Sequence, residues 1–174
     1  NATTTVPNYA YVSGTNFGSV DKNNGDLLIE SIANSYASAG FMNADVSVSL
    51  ASLGILTMTA EAKGDFKAYL DSAGANIYVN DISIFNLYKA SSYAKSTQPG
   101  GGVSVSLATG QVNFAKANTT TIANAYIAGS GVVNANAIGI KVNGEGSNAE
   151  ADIDAAKVSI SGAKVAANIA LANM

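Results

Sequence analysis

The chain has 174 residues, 48% of them hydrophobic and only 12% charged, with a net charge of −3. His, Cys, Trp and Arg are absent, and the nine basic residues are all Lys, spread from Lys22 to Lys164. Those omissions exclude disulfides, thiolate metal sites, a Cys nucleophile and His-based acid–base catalysis, and they leave no basic stripe or Arg fork for nucleic acid.

A soluble domain typically carries about 25% charged residues, so this surface must be finished with Asn, Ser, Thr and Gly or be covered by other copies. The length suits one domain with a real core. No stretch approaches the ~20 continuous apolar residues of a membrane helix, so no membrane span is expected. A start at Asn1 rather than Met predicts a processed, exported product.

In chain order, residues 1–20 read as an extended arm. Thr3, Thr4, Thr5 and Val6 favour β geometry, and Pro7 excludes a central, fully paired strand. Residues 21–174 read as a single β-rich domain. Asp21 to Asp26 is a turn cluster, and Asp26 is placed to cap a short helix through Ala39, with Leu28, Ile32 and Tyr36 at i, i+4, i+8 and Gly40 ending it.

From Ala44 the period changes to two: Val46, Val48 and Leu50 alternate with Ser47 and Ser49, and Ile55 to Ala60 reads as a more central strand. Asp65 to Leu70 fits a short helix or a strand equally. Ile77 and Val79 lie on the opposite parity to Ile82 and Ile84, which predicts a bulge near Asn80-Asp81. Residues 95–102, rich in Gly, predict a flexible loop.

Alternation resumes at Val103, Val105 and Leu107. It continues through Val132 to Val142, a turn at Asn143 to Gly146, a bulge at Ala155-Ala156 and a last strand through Leu171. No motif repeats at constant spacing in this reading. The pattern predicts a mainly β fold: an antiparallel β-sandwich or barrel-like sheet with one or two short helices, or alternatively an irregular β-solenoid.

Glu150, Asp152 and Asp154 alternate along one strand face and form a candidate Ca²⁺ site, with Glu145 and Asn143 nearby. Solvated acidic side chains explain the same pattern. Asp21, Asn23 and Asp26 lack the spacing of an EF-hand loop. Ser92-Tyr93-Ala94-Lys95 has Ser-x-x-Lys spacing without a helix-opening context, so no enzyme activity, small-molecule substrate or cofactor other than Ca²⁺ is expected. Asn1-Ala2-Thr3 and Asn118-Thr119-Thr120 match the glycosylation acceptor pattern at Asn1 and Asn118.

Alternating strands of small residues with little charge favour self-association. The leading expectation is a structural subunit of an extracellular filament, pilus-like fibre or surface layer, whose partners are other copies of itself. Joining would be by β-strand donation or edge pairing, with Thr3, Thr5, Val6, Tyr9, Tyr11 and Val12 of the arm as interface residues. The composition resembles that of exported filament and surface-layer proteins, and no motif in it carries over a functional residue. Two alternatives are an outer-membrane-type β-barrel and a secreted module that binds carbohydrate or ice through its tyrosines or threonine runs.

Overall fold

Alternation of small or apolar residues with polar ones runs through nearly the whole chain, and the computed structural model turns it into strands throughout. It describes residues 1–20, 25–42, 47–97, 104–153 and 159–174. Ten strands follow in order: β1 (Ala2–Ser13), β2 (Leu27–Met42), β3 (Ser47–Asp71), β4 (Asn76–Tyr78), β5 (Asp81–Thr97), β6 (Ser104–Ala128), β7 (Val132–Asn134), β8 (Ala137–Gly144), β9 (Asn148–Ile153) and β10 (Ser159–Asn173). The described residues contain no helix.

Every strand pairing is parallel, which corrects the antiparallel sandwich or barrel expected from the short turns. The first sheet has the order β1-β3-β6-β10, and the second has β2-β5 with β8 and β9 following one another along β5. A small third sheet joins β4 to β7, and Phe17 bridges to Ile77 on its other side. The chain therefore visits the sheets in a fixed rotation and returns to each once per coil. Register partners lie 58 residues apart for Ala2 and Ala60, 57 for Ser47 and Ser104, and 55 for Ser104 and Ser159.

The turn signals are real, but they make corners between sheets. Ser72 to Ala75 closes a turn through Ala75 N–H to the Ser72 carbonyl at 2.7 Å, with positive φ at Ala73 and Gly74, and carries the chain from the first sheet to the third. Val79 and Asn80 form the next corner, so the parity change between Ile77 and Ile82 reflects entry into another sheet. The turn expected at Asn143 to Gly146 is present at Glu145-Gly146, with Gly146 at φ of 62°, and it adds one residue within the sheet: Tyr88 pairs with Gly144 and Ser91 with Asn148, leaving two residues on β5 opposite three.

The proposed helix from Asp26 to Ala39 is the strand β2. Ile29, Ser31, Ala33, Ser35, Ala37 and Ala39 are buried at period two, while Leu28, Ile32 and Tyr36 are exposed. Small inward residues fit a thin interior between two flat sheets, and that packing overrides the i, i+4 pattern on the outer side. Asp65 to Leu70 lies within β3. β5 continues through Thr97, so residues 95–97 of the expected loop are paired strand. Residues 98–102, the turn at 21–24 and the bulge at Ala155-Ala156 lie outside the described residues.

The two long sheets face one another over two apolar clusters. One is built mainly of alanine, with Ala37, Ala60, Ala62, Ala94 and Ala117 around Met58. The other lies toward the third sheet and holds Ile29, Leu70, Ile77, Ile82 and Ile84. Hydrogen bonds cross the interior as well. Asn86 Nδ2 donates to the Phe66 carbonyl at 2.7 Å and the Asn124 carbonyl at 3.0 Å, and Ser35 Oγ donates to the Lys63 carbonyl at 3.0 Å. Thr119 Oγ1 donates to the Asn148 carbonyl at 3.0 Å and accepts from Ser92 Oγ at 2.9 Å. Nearer the outside, Asn8 Nδ2 donates to the Ile32 carbonyl at 2.8 Å.

Coils stack closely at the corner after the first sheet. Gly131 N–H donates to Ser72 Oγ at 2.8 Å, and a Cβ on Gly131 would overlap the backbone of Ala75 in the coil above. Gly129 adopts φ of 101° at the same corner, a conformation that L side chains rarely take. Gly131→Ala is expected to destabilise the fold by about 2–3 kcal/mol through backbone overlap. A thermal melt against the exposed control Gly25→Ala, where the added Cβ meets no neighbour, checks this.

Candidate assembly surfaces

The outer face of the first sheet carries ladders of like residues. Tyr11, Tyr69 and Tyr126 occupy one register position on β1, β3 and β6. Their rings stack with centroids 5.1 and 5.0 Å apart and interplanar angles of 6° and 2°. The spacing follows from the ~4.8 Å separation of neighbouring strands. Eight residues back along the same strands, Asn173 Nδ2 donates to Asn118 Oδ1 at 3.3 Å and Asn118 Nδ2 donates to Glu61 Oε1 at 3.2 Å, while Lys63 Nζ pairs with Glu61 at 3.1 Å.

Tyr9 leans along the strands into a charged cluster. Its hydroxyl donates to Asp65 Oδ2, which also accepts from Lys67 Nζ at 3.1 Å, and the ammonium sits 4.9 Å from the Tyr9 ring centroid. The hydrogen bond from Tyr9, then the one from Lys67, holds the Asp65 carboxyl below its ordinary range. The same contacts raise Tyr9 and Lys67, in each case chiefly through the hydrogen bond to Asp65. Asp65 therefore stabilises the folded form above the ordinary carboxylate range, and that contribution is lost as pH falls through its lowered pKa. Tyr9 and Lys67 contribute below their ordinary ranges and lose it as pH rises through their raised values.

The arm is seated within the molecule. β1 pairs with β3 from Ala2 to Ser13 and forms one edge of the first sheet. Thr3, Thr5, Tyr9 and Tyr11 face outward, and Val6 and Val12 face inward. β2 is likewise an edge, bonded to β5 alone. Pro7 interrupts the β1 edge once by lacking an N–H, a device that slows edge-to-edge pairing.

The opposite end exposes an apolar interior. Leu27, Ile82 and Ile138 form one register ladder, and Ile29, Ile84 and Ile140 the next. Ile82 and Ile84 in the middle coil are 1% and 0% exposed, whereas Ile138 and Ile140 in the last are 51% and 47% exposed. Val142, beneath the buried Asn86, is exposed as well. These inward-pointing side chains have a neighbouring coil on one side only.

The remaining candidates do not converge. Glu150 and Asp152 lie on the outer face of the second sheet, and Asp152 pairs with Lys95 Nζ at 3.3 Å on the adjacent strand. Asp154 lies outside the described residues, and among those residues no three acidic side chains group together as metal ligands would. Ser92 is buried with its hydroxyl bonded to Thr119, apart from the outward Lys95. Asn118 sits within the asparagine ladder, and Asn1 is exposed at the start of β1.

Tyr9, Tyr11, Tyr69 and Tyr126 do share one outer face, as a sugar platform requires. Within the stack, however, ring faces are turned toward one another, leaving edges and hydroxyls outward. The threonines form no array: Thr5 and Thr120 are separated by Lys63, and Thr3 is followed by Glu61 and Asn118. No family model matches the chain, and comparisons with curated proteins and with solved structures find no match.

Asp65→Asn is expected to return the Tyr9 hydroxyl toward its ordinary titration range. Ultraviolet absorbance titration reads the change, and the same substitution in a Tyr9→Phe background should leave the tyrosine titration unaltered.

Proposed function

We propose that this protein is a structural subunit of an extracellular filament or surface layer, and that its copies join by pairing of open sheet edges. The carrying observation is the contrast along the isoleucine ladders. The same positions are sealed in β5 and half open in β8, so β8 presents aliphatic surface chemically equivalent to the core. Burying a large aliphatic side chain stabilises by about 1.5–3 kcal/mol, which makes such a surface a strong site for another coil.

Parallel strands support a filament in a second way. Both ends of a parallel stack point their strands in the same direction, so the leading edge of one copy matches the trailing edge of another. Such a contact is heterologous, does not use itself up, and propagates. The low charge reduces repulsion between copies, and lysines scattered without a cluster supply little opposition.

Edge pairing fits the geometry better than donation of the arm, because β1 already occupies its own sheet. A membrane barrel is less well supported, since such barrels are antiparallel and closed, whereas these sheets are parallel and pack on each other. Absence of His and Cys fits a role without catalysis.

Sedimentation velocity and negative-stain microscopy test the reading. The chain is expected to form elongated assemblies, and Ile138→Lys/Ile140→Lys to reduce them strongly while keeping the β-sheet circular dichroism signal. A wild-type chain that stays a monodisperse monomer would overturn it.

A further inference from the structure

Tyr11, Tyr69 and Tyr126 stack from strand to strand across β1, β3 and β6, with ring centroids 5.1 and 5.0 Å apart and planes within 6° and 2° of parallel. They share one register position, so the carbons ortho to each hydroxyl lie about one strand spacing, ~4.8 Å, from their counterparts. Those carbons and the hydroxyls form the outward edge of the stack. The remaining tyrosines each face another residue type in register: Tyr9 faces Lys67, Tyr36 faces Ser91 and Tyr93 faces Ser38.

Removing one electron and the hydroxyl proton from a phenol leaves a radical whose spin lies on the oxygen and on the ortho and para ring carbons. In tyrosine the para carbon carries the side chain, so coupling of two rings occurs at ortho carbons. The rest of the chain offers little competition for such an oxidant. Trp and Cys are absent, and the three Met residues are oxidised by oxygen transfer to the sulfoxide.

We propose that the Tyr11-Tyr69-Tyr126 stack is an oxidative cross-linking site, at which a one-electron phenol oxidant of the haem peroxidase and hydrogen peroxide class joins neighbouring coils through dityrosine. Two phenols each give up one electron and one proton, and one hydrogen peroxide takes up both electrons and two protons to become two waters. The two radicals form one carbon–carbon bond between ortho carbons. Each of those carbons then loses its hydrogen as a proton while the ring oxygen regains one, which restores both phenols. The product has two hydrogens fewer than the starting chain.

The geometry favours this bond in three ways. Proximity removes most of the entropic cost of bringing two radicals together. The rings have room to lean edge to edge, since Tyr11 is 58% and Tyr126 37% exposed and the next outward positions on their strands are the small Ser13 and Ala128. Tyr69 has an ortho carbon on each side and can join both neighbours. Burial, then the facing Tyr126 and Tyr11, raise the Tyr69 pKa, so it enters the reaction as the neutral phenol.

Each bond would tie residues 58 or 57 positions apart and so close one whole coil. In a chain without Cys, it does for neighbouring coils what a disulfide does elsewhere, by restricting the unfolded chain. The site is independent of self-association, because both contacts lie within one molecule.

Peroxidase and hydrogen peroxide applied to the dilute full-length chain test the site, read by dityrosine fluorescence and by mass spectrometry after trypsin. Tyr11, Tyr69 and Tyr126 fall in separate Lys-bounded peptides, 1–22, 68–89 and 117–141. The expected product is a chain of monomer size in which peptide 68–89 is joined through Tyr69 to one or both of the others. Tyr69→Phe keeps the ring and its packing but leaves Tyr11 and Tyr126 two strand spacings apart, about 9.6 Å, and is expected to lose nearly all of the fluorescence. Tyr36→Phe removes a tyrosine of matching exposure, 60%, that faces Ser91, and is expected to keep it. Equal fluorescence from the wild type and Tyr69→Phe, links centred on other tyrosines, or no dityrosine under conditions that couple free tyrosine would each overturn the site.

Discussion

The structure depends on like residues stacking in register on parallel strands. Tyrosine lies on tyrosine, asparagine on asparagine, isoleucine on isoleucine and alanine on alanine, each at the same position of successive coils. An antiparallel partner would reverse the order and place different residues opposite one another. Stacked aromatic pairs contribute about 0.5–1.5 kcal/mol beyond their buried area, and matched alanines let the two long sheets approach closely. The coil length drifts between 55 and 58 residues, yet the ladders persist because corners and the bulge at Gly144 to Asn148 absorb the difference.

This geometry shapes what the molecule can do. Each coil contacts chiefly the coils beside it, so cohesion is a sum of neighbour terms. The broad faces carry hydroxyls, amides and paired charges in rows, with carboxylates held by lysines on the same or the next strand. The exposed aliphatic side chains of Ile138, Ile140 and Val142 lie instead along β8, on the inward side of the second sheet.

Much of the β content was legible from alternation, including the outward Tyr9 and Tyr11 of β1 against its inward Ala10 and Val12; the faces of β3 were not, because Ile55 to Ala60 is apolar or Thr at every position and Asp65 to Leu70 fits a helix as well as a strand. The direction of pairing was not, because a short turn reads the same whether it reverses a strand or rounds a corner. One signal in the sequence does carry it: Ala10-Tyr11-Val12, Ala68-Tyr69-Leu70 and Ala125-Tyr126-Ile127 recur at spacings of 58 and 57. Val46-Ser47-Val48-Ser49 likewise returns at Val103 and, as Val-Ser-Ile-Ser, at Val158. A search tolerant of small length changes finds a repeat where a strict period does not. In β2, Leu28, Ile32 and Tyr36 mimic a helical stripe, while the buried serines and alanines, polar or small, look unremarkable in sequence. Of the proposed interface residues, the outward Thr5 and Tyr11 were identifiable from parity, whereas the importance of Ile138 and Ile140 required knowing which coil comes last.

The polar bonds that span the interior have a mechanical consequence. Two flat sheets separated by alanine methyls present a smooth boundary, and smooth apolar boundaries resist separation far better than they resist sliding. Asn86 tied to two carbonyls opposite, Ser35 to the Lys63 carbonyl, and Thr119 to Asn148 act as pegs against that shear. The two sheets are thereby held in one lateral alignment even where the hydrophobic layer between them is thin.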